Sequence, residues 1–226
     1  MKMIETLRRE PKTISLLTTE HSWFNRYGFA ESLVEKLRSL GYACNLYFSH
    51  SAFNEKRDVC FILSYFKIIP REFLDYHFHN IVIHESDLPE GKGWSPLFWQ
   101  ILENKNKIPV TLFEATEELD AGPYYIKDFI QLNGYELHDD IRKKQADKTI
   151  ELCTRFLKEY VKLRPIIQTG QSTYYPRRTP DDSRLDIDKT IREQFNILRI
   201  CSNDDFPAFF YMSEKKYILK IYLADK

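Results

Sequence analysis

Four short and almost wholly apolar runs constrain this chain most: "TISLLTTE" (13–20), "DVCFILSYF" (58–66), "NIVIH" (80–84) and "IPVTLFEA" (108–115). Each is too short for a long helix and too continuous for a strand with one wet face. The pattern therefore predicts strands buried on both sides. "YACNLYF" (42–48) reads as a further strand. Between these runs lie helical patterns. "GFAESLVEKLRSLG" places Phe29, Leu33, Leu37 and Leu40 at helical spacing and ends on Gly41, a natural stop. "PREFLDYH" opens on Pro70, and "SPLFWQILENK" (95–105) has Ser95 as cap with Pro96 at the first position. Strands alternating with helices predict an α/β fold on a mostly parallel, Rossmann-like sheet.

The second half reads differently. A long amphipathic helix is expected at about 135–163, with Leu152, Phe156, Leu157, Tyr160 and Val161 on its apolar side. "RPIIQTGQSTYYPRRTPDDSR" (164–184) is rich in turn residues and reads as a linker or ordered surface loop. A helix at about 186–200 would carry Ile187, Ile191, Phe195 and Leu198 as a core or interface face. "PAFFYM" and "KKYILKIYLA", joined by "SEKK", suit a hairpin. The expected division is a core at 1–163 and a C-terminal extension at 164–226, the latter a small helix plus β-hairpin appendage. No internal repeat is visible.

Composition narrows the functional classes. The 226 residues hold 33 Lys+Arg and 33 Asp+Glu. Without a basic excess, the phosphate neutralisation that drives nucleic-acid binding has no obvious source. The four cysteines, Cys44, Cys60, Cys153 and Cys201, form no C-x-x-C pair, so buried free thiols are expected rather than disulfides or zinc. His77 and His79 flank Phe78 with no convergent cysteine or carboxylate, and no metal site is expected. The N-terminus lacks an apolar run of signal length, and no stretch is long enough to span a bilayer. A cytoplasmic protein without membrane contact is the expectation.

The chemistry collects at two strand ends. Ligands bind open parallel sheets outside the carboxyl ends of the strands. His84 closes "NIVIH", and Asp120 follows the next strand in "TEELDAGP". An imidazole oriented by a carboxylate suits general acid–base work. The same two residues would equally suit a hydrogen-bonded pair of turns.

"VIHESDLPEGKGWSP" (82–96) resembles the His-x-Ser-x-Leu-Pro-x-x-x-Gly-x-x-Pro loop of the formyltetrahydrofolate-dependent formyltransferases. "TEELDAGPYY" (116–125) resembles that family's second signature, an aspartate before a small residue and glycine. The spacing of the two, 120 − 84 = 36 residues, also agrees. "LSYFKIIP" (63–70) resembles the strand and turn that line the folate pocket. The resemblance runs from residue 13 to about 130 and implies the formyltransferase fold.

The resemblance implies transfer of a formyl group from 10-formyltetrahydrofolate to an amine, with no metal. His84 would take the amine proton or stabilise the tetrahedral oxyanion. Asp120 would orient His84 and pass the proton to the departing folate nitrogen. The family's asparagine two residues before the histidine is Val82 here. Asn80, two residues further back and about 6.6 Å away along a strand, is the candidate substitute. Phe66, Ile69, Glu117, Leu119 and Asp120 would hold the donor.

In the histidine loop, Glu85 and Asp87 are expected to face solvent, and Ser86 to bond the loop backbone. Lys92, between Gly91 and Gly93, could reach a phosphate, and Trp94 could stack on a ring.

Methionyl-tRNA formyltransferases are longer and carry a basic linker, and glycinamide ribonucleotide transformylases open on a glycine-rich loop. Here "TTEHSWFNRYG" (18–28) stands in that position. The resemblance therefore points to the sugar N-formyltransferases, acting on an amino-dideoxyhexose carried by a nucleoside diphosphate, commonly dTDP, for O-antigen or other surface glycan. Trp23, Asn25, Arg26, Tyr174 (or Tyr175), Arg178 and Arg184 are the candidate acceptor contacts, and a homodimer is expected. The alternatives are a formyltransferase for another small amine, a hydrolase, or a folate- or nucleotide-binding relative without catalysis.

Overall fold

The computed structural model describes residues 10–224. Its centre is a six-stranded sheet of order β2-β1-β3-β4-β6-β7. The strands are β1 (Thr13–Leu17), β2 (Ala43–Tyr47), β3 (Val59–Ile62), β4 (His79–His84), β6 (Lys107–Glu114) and β7 (Tyr124–Gln131). β5 (Lys92–Gly93) and β8 (Tyr174–Tyr175) form a separate two-residue parallel ladder. The helices of the core are α1 (Trp23–Arg26), α2 (Phe29–Ser39), α3 (Arg71–Tyr76), α4 (Pro96–Leu102) and α5 (His138–Glu159).

Strand alternation sorts the core into two layers. Ile14, Leu16, Val59, Phe61, Ile81 and Leu112 point to the larger side, where Leu33 and Leu37 of α2 and Leu152 and Phe156 of α5 cover them. Leu17, Cys60, Ile62 and Val82 point to the other side and pack with Phe73 of α3. All four cysteines are buried and free. Among the described residues no helix is long and apolar enough to cross a membrane.

The sheet is mostly parallel, as expected: β1, β2, β3 and β4 run in one direction. β6 runs antiparallel to β4, pairing His84 with Thr111 and Ile81 with Glu114. β7, antiparallel to β6, was not anticipated.

The tail helix is also shorter than its apolar spacing suggests. Only α6 (Phe195–Ile200) is helical, and Ile187 and Ile191 are exposed. Side chains compete for the backbone here. Gln194 Nε2 donates to the carbonyls of Asp186 and Lys189, and Glu193 accepts from the Thr190 N–H. β9 (Ala208–Met212) and β10 (Lys215–Leu219) form the expected hairpin. Leu185, Leu198, Cys201 and Ala208 make a small core of their own. Arg199 fastens this unit to the rest. It is 1% exposed, donates from Nη2 to Glu136 Oε2 at 3.0 Å, and donates from Nε to the Glu136 carbonyl at 3.0 Å.

Candidate active site

β4 delivers His84 to the carboxyl edge of the sheet, on the same face as Val82. Its imidazole is buried, and Nε2 lies 2.8 Å from the Gly91 carbonyl. A carbonyl only accepts, so that nitrogen carries a proton. Asp120 Oδ2 stands 3.8 Å from the same nitrogen and accepts from the Gly93 N–H at 2.9 Å. The two glycines flanking Lys92 thus bind the histidine and the aspartate in turn, one through its carbonyl and the other through its N–H.

Asp120 reaches His84 by an indirect route. β6 ends at Glu114, level with Ile81 on β4, three residues short of His84. The 115–123 connection therefore has to travel back up the sheet before β7 begins. Asp120 takes a left-handed conformation, φ 51°, which aspartate tolerates better than most residues. Gly122 anchors the return. A Cβ there would lie 2.9 Å from the Glu114 carbonyl carbon and nearer still to its oxygen. No other residue fits that approach, which gives the "DAGP" glycine a spatial reason.

Lys92 is 4% exposed rather than solvated. Its Nζ sits 3.6 Å from Glu118 Oε1 and 5.8 Å from the centre of the Tyr174 ring. Trp94 is exposed, 6.0 Å from Phe66, with the Arg177 guanidinium 5.1 Å from its ring. An apolar edge borders the histidine loop. Phe66 is 51% exposed, Ile68 93% and Leu119 61%. Ile69 is half-buried against the Leu17 and Ile62 layer, and Glu117 pairs with Arg71 at 3.2 Å. Tyr174 is exposed on β8, beside the loop. Tyr175 instead packs flat on Trp99 and donates to Glu103.

The remaining candidates are held elsewhere. Asn80 is four residues from His84, roughly 13 Å along the strand, and donates to the Leu74 carbonyl at 2.9 Å. β4 has no bulge that would bring it closer, so the structure does not bring Asn80 to the site. Trp23 lies under the Arg142 guanidinium, 4.6 Å from its ring. Asn25 donates to the Glu20 carbonyl, Arg26 pairs with Asp205 at 2.9 Å, and Arg184 lies over Tyr211.

Arg178 is half-buried over Phe98, which also carries Arg142. Burial holds Arg178 below its ordinary value and pushes Arg142 down to about 10. Glu85 does not face solvent. It accepts from Gln145 Nε2 at 2.6 Å, and its charge supports Arg142. The Ser86 hydroxyl is buried without a hydrogen-bond partner, and the Ser86 carbonyl instead accepts from Thr111 at 2.6 Å.

Two elements of the site carried no sequence signal. Gln168 Nε2 donates to the carbonyls of Asp120 and Gly122, at 3.1 and 2.7 Å. Thr173 Oγ1 accepts from the Gly91 N–H at 2.8 Å. Both lie in the segment that read as a linker, beyond the reach of the resemblance. Among the described residues no group of three or more His, Cys, Asp or Glu is arranged to hold a metal ion.

Comparison with known proteins agrees with this fold. Residues 47–157 match the formyl transferase family. A methionyl-tRNA formyltransferase from Thermodesulfovibrio yellowstonii is 29% identical over 143 residues, covering 61% of this chain and 46% of that protein. The chain spans about half the length of the curated relatives it matches.

Among solved structures, a methionyl-tRNA formyltransferase from Clostridium thermocellum superposes with a TM-score of 0.78 at 19% identity, covering 95% of this chain and 94% of that one. A sugar N-formyltransferase from Shewanella sp. FDAARGOS_354 gives 0.66 at 16%, over 95% and 99%. HypX from Aquifex aeolicus, in complex with tetrahydrofolic acid, gives 0.75 at 16%, over 94% and 38%. Residues 47–157 are therefore identified as a formyl transferase domain, set in a chain with the formyltransferase fold.

Proposed function

We propose that this chain transfers a formyl group from 10-formyltetrahydrofolate to the amino group of a nucleotide-linked amino-dideoxyhexose, a dTDP sugar by preference, destined for surface glycan such as O-antigen. The observation that carries the transfer is the His84–Asp120 pair, 3.8 Å apart and buried beside an exposed apolar edge.

The donor supplies an activated formyl carbon and a leaving nitrogen. Phe66, Ile69 and Leu119 offer it apolar contact, and backbone of the 116–120 loop offers polar contact. Nε2 of His84 gives its proton to the Gly91 carbonyl, so Nδ1 is the nitrogen that takes up the amine proton. The imidazolium then donates from Nδ1 to the oxygen that gained charge when the amine added to that carbon, and a donor aimed at a developing oxyanion is worth about 2.7–4 kcal/mol. Asp120, beside Nε2, favours that imidazolium. That proton leaves with the folate nitrogen as its carbon–nitrogen bond breaks. Val82, in place of the family asparagine, packs in the apolar layer, so the polar work falls to His84 and Asp120.

Two features support a sugar nucleotide as acceptor. The charge is balanced, at 33 of each sign. Trp94, Arg177, Lys92 and Tyr174 gather rings and cations beside the loop. In this reading residues 1–163 form the catalytic core, and residues 164–226 add acceptor contacts and the face of a homodimer. The reaction is cytoplasmic and needs no metal.

A second reading, methionyl-tRNA as acceptor, is favoured by the names of the curated relatives. One assay separates the two. Purified protein with 10-formyltetrahydrofolate is offered dTDP-3-amino sugars, dTDP-4-amino sugars and methionyl-tRNA, and tetrahydrofolate release is followed. Turnover with a sugar supports the first reading, and turnover with the tRNA alone would replace it. In the active pairing, His84→Asn should lower kcat by about 10²–10³-fold. An unchanged rate would remove His84 from the mechanism.

A further inference from the structure

After α5 the chain comes back to the site and ties both of its loops. Ile166 pairs with Tyr124 at the start of β7 through two backbone hydrogen bonds, of 2.8 and 2.9 Å. Gln168 Nε2 then spans the carbonyls of Asp120 and Gly122. Further on, Thr173 accepts from the Gly91 N–H, its carbonyl accepts from the Lys92 N–H at 2.9 Å, and the Tyr175 carbonyl accepts from the Trp94 N–H at 3.1 Å. One ten-residue segment thus holds the aspartate turn at one end and the histidine loop at the other.

We propose that Gln168 is a positioning residue for the Asp120 carboxylate, and that residues 166–175 set the separation of Asp120 and His84; the proposal rests on the transfer reading above. Both carbonyls held by Gln168 belong to the turn that keeps Asp120 left-handed, φ 51°. Released from them, the turn can relax toward ordinary backbone angles, which swings the carboxylate away from His84. Gln168 Oε1 is buried without a hydrogen-bond partner. A polar atom left so is costly, and a residue chosen only for packing would not carry it. The two donor hydrogens of Nε2, aimed at two carbonyls, are what the amide supplies.

The Gly93 N–H, bonded to Asp120 Oδ2, reports where the carboxylate sits without any need for turnover. Nuclear magnetic resonance of the full chain would follow that amide in wild type, Gln168→Met and Asp120→Ala. Met keeps the length of the side chain and removes both donors. The expected result is that the Gly93 amide in Gln168→Met moves most of the way to its Asp120→Ala position and exchanges with solvent faster. With the active acceptor, kcat should fall by about 10- to 100-fold, the range for a misplacement near 1 Å, while KM for the donor stays within about twofold.

Gln168→Glu gives a second reading in the same spectrum. Its ionised carboxylate has no hydrogen to donate, whereas its protonated form has one, so acidification should draw the Gly93 amide part of the way back. A Gly93 amide unmoved in both folded variants would overturn the proposal. A Gly93 amide that moves in a protein with no transferase activity would instead leave the positioning intact and remove the transfer reading.

Discussion

Replacing Gly122 with alanine tests whether the reach of Asp120 is set by backbone packing. The added Cβ would meet the Glu114 carbonyl, its carbon at 2.9 Å and its oxygen nearer. Both are backbone atoms in a strand paired on each side, so the 115–123 turn has to give way. Restoring ordinary van der Waals contact takes a shift of about 1–1.5 Å. Asp120 is two residues away in the same turn. If Asp120 retreats from 3.8 Å to about 5 Å, its attraction for an imidazolium falls by about 1 kcal/mol at an effective dielectric of 20. That alone is about sixfold in rate, and misalignment of the pair raises the loss toward about 10²-fold.

Stability should also fall, by about 1–3 kcal/mol for an overpacked position. The assay is tetrahydrofolate release with the active acceptor, alongside thermal melting. A variant that melts lower yet keeps its full kcat would refute the reasoning, because the turn would then not be what places Asp120.

Two further predictions concern the frame around the site. Arg199→Met leaves a buried Glu136 with Lys144 at 2.6 Å as its remaining charged partner, beside the N–H groups of Asn133 and Gly134. A broken buried pair costs about 3–5 kcal/mol, and with Lys144 in place the lower end, about 3, is expected. Melting should drop by about 6–12 °C, and Glu136→Gln added to it should recover part of the loss. His138 is pushed below its ordinary value first by burial and then by the Arg142 charge. The unfolded chain therefore binds the proton more readily than the folded one. Stability held above about pH 6.5 is lost as pH falls below it. Melting temperatures between pH 7.5 and 5.5 should decline in wild type and flatten in His138→Gln.

The parts of this molecule that were legible in its sequence are those whose information is local. His84 and Asp120 stand where an apolar run ends and a breaker-rich turn begins, and each lies inside a short motif that residue types alone define. The helix α2 and the hairpin of β9 and β10 were equally plain, since spacing and turn chemistry sit within a dozen residues. What escaped depends on distant partners. The direction of β6 shows only in its long-range pairing with β4, which no apolar pattern records. β7 alternates weakly and follows a loop signal. The expected helix at 186–200 had its apolar spacing but no surface to receive Ile187 and Ile191, and Thr190 and Gln194 took the backbone instead. Gln168 and Thr173 looked like linker residues because the groups they hold lie about 46 and 82 positions earlier in the chain.

The burial of the four cysteines has a practical side. Burial raises all four thiols, Cys44 to about 11 and Cys60 and Cys153 well above the ordinary range. At pH 7.5 a thiol near 11 is thiolate in only about one molecule in 3,000, and the thiolate is the reactive form. The native chain is therefore nearly silent toward maleimides. A cysteine placed at Ile68, whose side chain is open to water two residues from Phe66, would take a fluorophore alone. Such a dye, attached without first removing any native cysteine, would give an optical readout of donor arrival.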